Sequence, residues 1–341
     1  MDGVQIIEHS ERKIIKNMAK VLAASLSFCK FSINQEPGET LKSAGIQVDV
    51  NEKGQQLTEA ELISIIDKYD GIIVGTDPIT AAVIKKGEKL KIIAKNGVGF
   101  DNIDLKAATQ QQVFVTYTPG AVEQTVADST LALMLALARN IPQGDASIRS
   151  GKWQRIIGLD ISHKKLGILG LGRIGKNVVK RSKGFDMDVY ACDPFADTSF
   201  CKQNGVHIVD MDTLFEICDI VTIHAPLTDT TRHIVNTRTL SLMKPDALLI
   251  NTSRGDLVDE QALYKALKEK RIAGAAIDVF SVEPLEKDSP LLELENIILT
   301  PHIAGYSRDA LLYSGNMIAE SIIAVLKGEV PKNVVNTDLI G

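Results

Sequence analysis

The stretch that most restricts how this chain can fold is residues 165–193. An apolar run, Leu166-Gly167-Ile168-Leu169, ends in Gly170-Leu171-Gly172-Arg173-Ile174-Gly175, and a helical pattern follows at once to Lys183. Between a buried strand and a helix, glycines at this spacing have separate tasks. Gly170 permits a tight turn, Gly172 lets a pyrophosphate approach the main chain, and Gly175 lets helix and sheet pack closely. The phosphates then meet the N–H groups at the helix start. A second apolar run ends in Asp193, about 20 residues on, where a carboxylate accepts hydrogen bonds from ribose hydroxyls and repels a 2′-phosphate. Pro194 and Phe195 bring no cation. The pattern therefore predicts a Rossmann domain that takes NAD rather than NADP.

Around this junction the apolar runs fall into two series. Residues 21–28, 46–50, 72–75, 92–94 and 113–117 read as strands, with helical patterns between several of them, notably residues 57–69. Thr58-Glu59-Ala60-Glu61 has the form of a capping box at the start of that helix. The second series begins at Leu166 and continues through residues 189–193, 220–226, 247–252, 273–279 and 297–301. Alternation of this kind predicts an α/β fold made of two doubly wound parallel-sheet domains. The first series lacks the dinucleotide fingerprint, and a helical segment to Leu326 is left over once the second sheet is full. The expected organisation is thus discontinuous: residues 19–120 and 307–341 form a substrate domain, residues 121–306 an NAD-binding domain, and a cleft lies between them. Consecutive independent domains are the alternative.

At 341 residues the chain has room for both domains. A formal net charge of -5, without a basic block interleaved with aromatics, gives no ground for a nucleic-acid partner. The longest apolar stretch noted, residues 131–138, is too short to span a bilayer, and the N-terminus lacks the order of a secretory signal. No membrane partner and a cytoplasmic location are therefore expected. Cys29, Cys192, Cys201 and Cys218 form no CxxC pair, and His and Cys show no ligand spacing, so reduced thiols and no metal are expected. Residues 1–18 are polar and mixed in charge; Met18 is a possible alternative start, and no function is assigned to them. Residues 125–138 read as a helix apolar nearly all round, buried between two domains or two subunits. With the Trp153 arm after it, this suggests a homodimer, the alternative being a helix buried wholly inside one domain.

Ligands of doubly wound sheets bind beyond the carboxyl ends of the strands. In the second series those ends carry His224-Ala225-Pro226, Asn251-Thr252-Ser253-Arg254-Gly255, Asp278-Val279-Phe280 and Thr300-Pro301-His302, with Glu283 close behind Asp278. A hydride reaction on a hydroxy acid needs a cation, an acid/base and a group that tunes the base. The planar fork of Arg254 pairs with a carboxylate. His302 suits proton transfer, and Glu283 would fix its tautomer and favour the protonated ring. An acid such as Asp278, at the end of an apolar strand, must find partners or face a cleft. His224 lacks an evident carboxylate partner and is expected to line the adenine side.

Together, Gly170 to Gly175, the Asn251 to Gly255 run, Asp278-Val279-Phe280-Ser281-Val282-Glu283-Pro284 and Thr300-Pro301-His302-Ile303-Ala304-Gly305 resemble the D-isomer-specific 2-hydroxyacid dehydrogenase family, over roughly residues 20–330. The resemblance implies that Arg254, Glu283 and His302 are catalytic. It implies NAD contacts from Ile174, Asp193, Thr252 and Asp278, the last near the nicotinamide, and extends them to Arg173, His224, Pro226 and Gly305. The implied fold has a flavodoxin-like substrate domain completed by the C-terminal helix. Asn96-Gly97-Val98-Gly99 resembles the substrate loop, whose N–H groups hold a carboxylate. The N-terminal part is similar to a phosphoglycerate dehydrogenase-like branch, linked to serine biosynthesis, with Lys95 where many such enzymes have Arg. Arg155 is the arm residue that would reach a neighbouring subunit. Val122 and Asp128 depart from the usual Asn and Glu, and the absence of a regulatory domain before Gly341 argues against serine inhibition through one.

The implied activity is NAD-dependent oxidation of a D-2-hydroxy acid or reduction of a 2-keto acid, with 3-phosphoglycerate the preferred substrate. A reductase of hydroxypyruvate, glyoxylate or D-lactate is the nearest rival. An NAD(H)-sensing, corepressor-like binding protein is the rival from another class.

Overall fold

The computed structural model describes residues 18–340. The reading of residues 1–17 as a tail lies outside them. The chain divides into two compact units, Met1–Val122 with Ser307–Gly341, and Glu123–Tyr306.

In the first unit, β1 (Lys20–Ala23), β2 (Gln47–Val50), β3 (Gly71–Val74), β4 (Ile92–Lys95) and β5 (Phe114–Thr116) form a parallel sheet in the order β2-β1-β3-β4-β5. This is the flavodoxin-like order, with its switch point between β1 and β3. Alternate side chains feed two cores. Val21, Ala23, Ile73, Ile92 and Ala94 pack with Phe28, Leu41, Ile318 and Ile322, whereas Leu22, Ile72, Val74, Ile93 and Val115 pack with Leu62, Ile66, Val83 and Ile84. The capping box forms at Thr58, whose hydroxyl accepts from the Glu61 amide while Glu61 accepts from the Thr58 amide.

The helix Arg308–Leu326 is long and apolar enough to cross a membrane by length and composition, but Ile318, Ala319, Ile322 and Val325 are buried in one of these cores. Beyond it the C-terminal segment is partly built into the sheet. Val334 bridges to Thr116, the Val335 amide donates to Val115 O at 2.7 Å, and Asn336 exchanges hydrogen bonds with Val115 N and Val113 O. The main chain at Val334 and Val335 and the Asn336 side chain thus cover the edge of β5.

The second unit carries β6 (Lys165–Leu169), β7 (Asp188–Cys192), β8 (Val206–Ile208), β9 (Ile220–Ile223), β10 (Leu248–Asn251), β11 (Gly274–Ile277) and β12 (Ile297–Leu299). They are parallel in the order β12-β11-β10-β9-β6-β7-β8, the Rossmann arrangement, with the switch point between β6 and β9. β8 escaped the sequence reading because it is a three-residue edge strand with only Val206 buried.

One expectation changes. The apolar run at residues 21–28 is not one strand: Ala24 and Ser25 both donate to Ile73 O, β1 stops at Ala23, and Leu26–Lys30 is a helix whose Phe28 is buried. An apolar run of this length satisfies either period. The helix Glu123–Ala138 buries one face in its own unit, where Ala127, Leu131, Met134 and Leu137 pack on Leu166, Ile168, Ile250 and Ala276, while Ala132 is exposed and Leu133, Leu135 and Ala136 are half-buried. Part of its apolar surface is therefore not covered by its own unit.

Candidate active site

The glycine-rich turn has the geometry its spacing implies. Gly170 has φ +94°, and a Cβ there would lie 2.6 Å from the Ala225 amide nitrogen. At Gly175 a Cβ would come 2.4 Å from Gly170 O, so only glycine lets the helix Arg173–Ser182 sit this close. A Cβ at Gly172 would meet nothing within 4 Å. The main chain at Gly172 is thus an open cradle at a helix start, which fits a pyrophosphate. Asp193 stands where β7 ends; its Oδ2 accepts from the Leu171 amide at 2.7 Å and its Oδ1 from the Phe195 amide at 2.7 Å, which ties the acid to the turn. Arg173 lies 3.5 Å from the Glu123 carboxylate, and Ile174 packs on the core.

His224 follows β9. Its Nε2 is 3.0 Å from Thr222 Oγ1, its buried Nδ1 has no partner among the described residues, and burial pushes the imidazole down to about 3, so the ring is neutral at neutral pH. Pro226 is exposed beyond it. Thr252 follows β10, buried, with its hydroxyl 3.1 Å from that of Thr130.

Arg254, Glu283 and His302 come together beyond β10, β11 and β12. Gly255 decides the approach: a Cβ there would lie 2.0 Å from the Phe280 carbonyl carbon, so the Arg254 turn seats directly on the Phe280-Ser281 main chain. Glu283 Oε1 accepts from the Phe280 amide at 3.0 Å, and Oε2 lies 2.8 Å from His302 Nδ1. Burial raises the Glu283 carboxyl; the hydrogen bond and charge of His302, the Phe280 amide and the charge of Arg254 outweigh it and hold the group below the usual glutamate range. An ionised carboxylate only accepts, so Nδ1 carries the proton and Nε2 is left for exchange. Arg254 donates to Ser253 O at 2.8 Å.

Asp278 is 1% exposed, and its carboxylate takes three hydrogen bonds from residues 300–304, which also brings Gly305 next to the site. Sequence reasoning passed over Asn251, Gly255 and Thr300. All three stand in quoted motifs, and a polar side chain closing an apolar strand was the available signal for Asn251.

The residues expected at the substrate loop lie in the first unit, after β4. The Asn96 amide donates to Val74 O and its side chain to Ser25 and Ser27; the Gly97 amide donates to Thr118 Oγ1. The amides of Val98 and Gly99 have no hydrogen bond among the described residues. Lys95 is 6% exposed, and its ammonium donates to Gly75 O and to Asn102 Oδ1. In the second unit Asp128 pairs with Arg181, so it serves a helix-to-helix contact. Trp153 and Arg155 are exposed in an irregular arm. Among the described residues no group of His, Cys, Asp and Glu could hold a metal.

Residues 131–304 match the family model described as D-isomer specific 2-hydroxyacid dehydrogenase, NAD binding domain. The chain belongs to the D-isomer specific 2-hydroxyacid dehydrogenase family. This family of NAD-dependent oxidoreductases includes the D-3-phosphoglycerate dehydrogenase of Methanocaldococcus jannaschii, 46% identical over 285 residues. That match covers 82% of this chain and 54% of that enzyme, so the chain spans about half its length. The glyoxylate reductase of Korarchaeum cryptofilum is 45% identical over 271 residues, 78% of this chain and 82% of that enzyme. The crystal structure of D-lactate dehydrogenase from Aquifex aeolicus complexed with NAD and lactic acid is 27% identical, with a TM-score of 0.81 over 93% of this chain and 99% of that one.

Proposed function

We propose that this protein interconverts a D-2-hydroxy acid and its 2-keto acid, with Arg254, Glu283 and His302 as the catalytic residues. The observation that carries the reading is the 2.8 Å contact of His302 Nδ1 with a Glu283 carboxylate that also feels the charge of Arg254. When bound, NAD supplies the hydride acceptor for oxidation of the alcohol carbon. His302 takes the hydroxyl proton at Nε2 as the C=O bond forms, and returns it in the reverse direction. Glu283 keeps Nδ1 protonated and stabilises the imidazolium. The guanidinium of Arg254 pairs with the substrate carboxylate and with the oxygen that becomes a carbonyl. The residues proposed to hold the dinucleotide are Gly170, Gly172, Arg173, Ile174, Gly175, Asp193, His224, Pro226, Thr252, Asp278 and Gly305. Those proposed for the acid are Lys95, Asn96, Gly97, Val98 and Gly99, in the substrate domain, with Arg254 and His302.

Within this class 3-phosphoglycerate is the first substrate to test, supported by the similarity to phosphoglycerate dehydrogenases. A shorter acid of glyoxylate size is the second reading, and one observation favours it: the Lys95 ammonium, the cation expected to meet a phosphate, is engaged with Gly75 and Asn102. The deciding experiment follows NADH absorbance with 3-phosphohydroxypyruvate, hydroxypyruvate, glyoxylate and pyruvate, and the reverse reaction with NAD and NADP. Turnover with one keto acid and a preference for NADH support the proposal. Tight NADH binding without turnover on any of them rejects it in favour of a sensor. A second copy of the chain is the proposed partner through the arm, where Trp153 is 82% and Ile157 96% exposed; light scattering at a monomer mass ends that part of the reading.

A further inference from the structure

The helix Arg173–Ser182 begins with a cation where the physics of its end asks for an anion. A helix N-terminus carries partial positive charge, yet the first residue here is Arg173 and no acid stands in the first turn. The amides of Gly172, Arg173, Ile174 and Gly175 have no hydrogen bond among the described residues, which leaves four unspent donors at the same end. Further along the helix Lys176 is answered by Asp197, at 2.8 Å. The carboxylate that answers Arg173 comes from the helix Glu123–Ala138, which packs on this one: Glu123 Oε1 lies 3.5 Å from Arg173 Nη1.

The two partners differ in their surroundings. The Glu123 side chain is 6% exposed and that of Arg173 65%. A buried carboxylate is costly without donors or a cation and is held in place, whereas an exposed guanidinium on a long stem can turn toward a ligand. Glu123 is also the first residue of its own helix, where an acid is favoured. That explains an acid at this position, but not why it meets the arginine of the glycine-rich turn. The pyrophosphate of a dinucleotide brings two negative charges to the start of the helix Arg173–Ser182. It meets a guanidinium that a fixed carboxylate already holds, and the carboxylate repels it.

We propose that Glu123 limits the affinity for the dinucleotide by competing with the pyrophosphate for Arg173. This deepens the cofactor reading above, in which Gly172 and Arg173 hold the dinucleotide, and rests on it. Glu123→Gln keeps the shape and an acceptor for the guanidinium and removes the charge. The apo variant is checked by thermal melting, then titrated beside the parent with NADH and with ADP-ribose, which carries the same pyrophosphate without the nicotinamide.

Both ligands should bind about 5-fold tighter to the variant, on the scale of a partly exposed ion pair. Raising the salt should shrink the gain, because charges near the surface are screened. In an Arg173→Met background the same substitution should change NADH affinity by no more than about 2-fold, since the group competed for is gone. Unchanged binding by Glu123→Gln, with or without a lower melting temperature, leaves Glu123 a helix-end acid and overturns the proposal. Weaker binding makes it a residue that orients Arg173 for the ligand and overturns it too. Equal tightening with and without Arg173 shows a charge acting through space, and the competition falls. If Glu123→Gln does not fold, Glu123→Ala is titrated in the same way and decides. A parent that binds neither ligand ends the cofactor reading and the proposal together, whereas a parent that binds both, with the variant no tighter, ends the proposal alone.

Discussion

The carboxyl ends of the two parallel sheets use polar residues in opposite ways. After β1, β3 and β4 of the first unit the side chains bond to each other and to their own loops. Asn96 reaches Ser25 and Ser27, Lys95 joins Gly75 to Asn102, and Asp77 accepts from the amides of Gly75 and Leu57. What this end presents is main chain, the amides of Val98 and Gly99. After β10, β11 and β12 of the second unit the buried pair Asn251 and Asp278 holds the turns, while Glu283 and His302 meet where both retain some access to solvent. One end therefore acts through the shape of a loop and the other through named side-chain atoms. A side-chain deletion should be far more damaging in the second.

Arg254→Ala is the strongest way to break this contrast. A planar fork that meets both carboxylate and reacting oxygen has no substitute at this site, so kcat/KM should fall about 1,000-fold or more while NADH affinity stays within roughly 3-fold. Near-native kcat with any good substrate would remove Arg254 from the mechanism.

Next in size is Glu283→Gln, for which steady-state kinetics should show a kcat loss of about 100-fold, because an amide still accepts from Nδ1 but no longer stabilises the imidazolium. The same variant has a signature in stability. The Glu283 carboxyl is held below its ordinary value in the folded protein, so the unfolded chain binds its proton first as pH falls. The stabilisation is complete above the ordinary glutamate range and is lost as pH falls through the lower, folded value. Melting curves of parent and variant should therefore differ most near neutrality and converge in acid. A gap that widens in acid would contradict the assigned direction.

Lys95→Ala sharpens the comparison from the other side. If the ammonium braces Gly75 against Asn102, its loss should lower kcat/KM by roughly 10-fold and alike for 3-phosphohydroxypyruvate and glyoxylate, since both use the same loop. A loss confined to the phosphorylated acid would turn Lys95 into a phosphate ligand and decide the substrate in its favour.

Much of this was legible before any coordinates, and the limits are physical. The order of apolar runs gave both sheets because fully buried parallel strands read as continuous apolar segments. The Gly170 to Gly175 turn was legible because the spacing of its glycines states their tasks by position, steric at Gly170 and Gly175 and an open approach at Gly172. Strand ends were read two or three residues too long, as at residues 220–226 and 273–279, since the apolar side chains continue into the loops after the ladder stops. The partners of Asp278 and Lys95 were not legible at all. Lys95 was read outward, toward a ligand, and Asp278 as an acid that must find partners or face a cleft, because a sequence shows a charge at a strand end but not the tertiary donors or acceptors that meet it. Asp278 finds its donors some 22 to 26 residues on, and Lys95 its acceptors 20 residues back and 7 ahead.

The smallest predicted effect separates two glycines of one turn. Gly172 faces open space at a φ of -72° that any residue adopts, so Gly172→Ala should leave the melting temperature of the apo protein within about 2 °C. The added methyl stands where a pyrophosphate is expected, so NADH affinity should still fall by roughly 3- to 10-fold, on the scale of one lost charge-assisted hydrogen bond. Gly175→Ala inverts the pattern. Its Cβ has Gly170 O at 2.4 Å and must push helix and turn apart, so the apo protein itself should melt lower, by several degrees for about 1–3 kcal/mol of overpacking. Calorimetry on the apo variants and fluorescence titration with NADH read the two quantities separately. Equal melting losses at both positions would mean that Gly172 is a packing glycine like its neighbour, and the cradle assigned to it would have no basis.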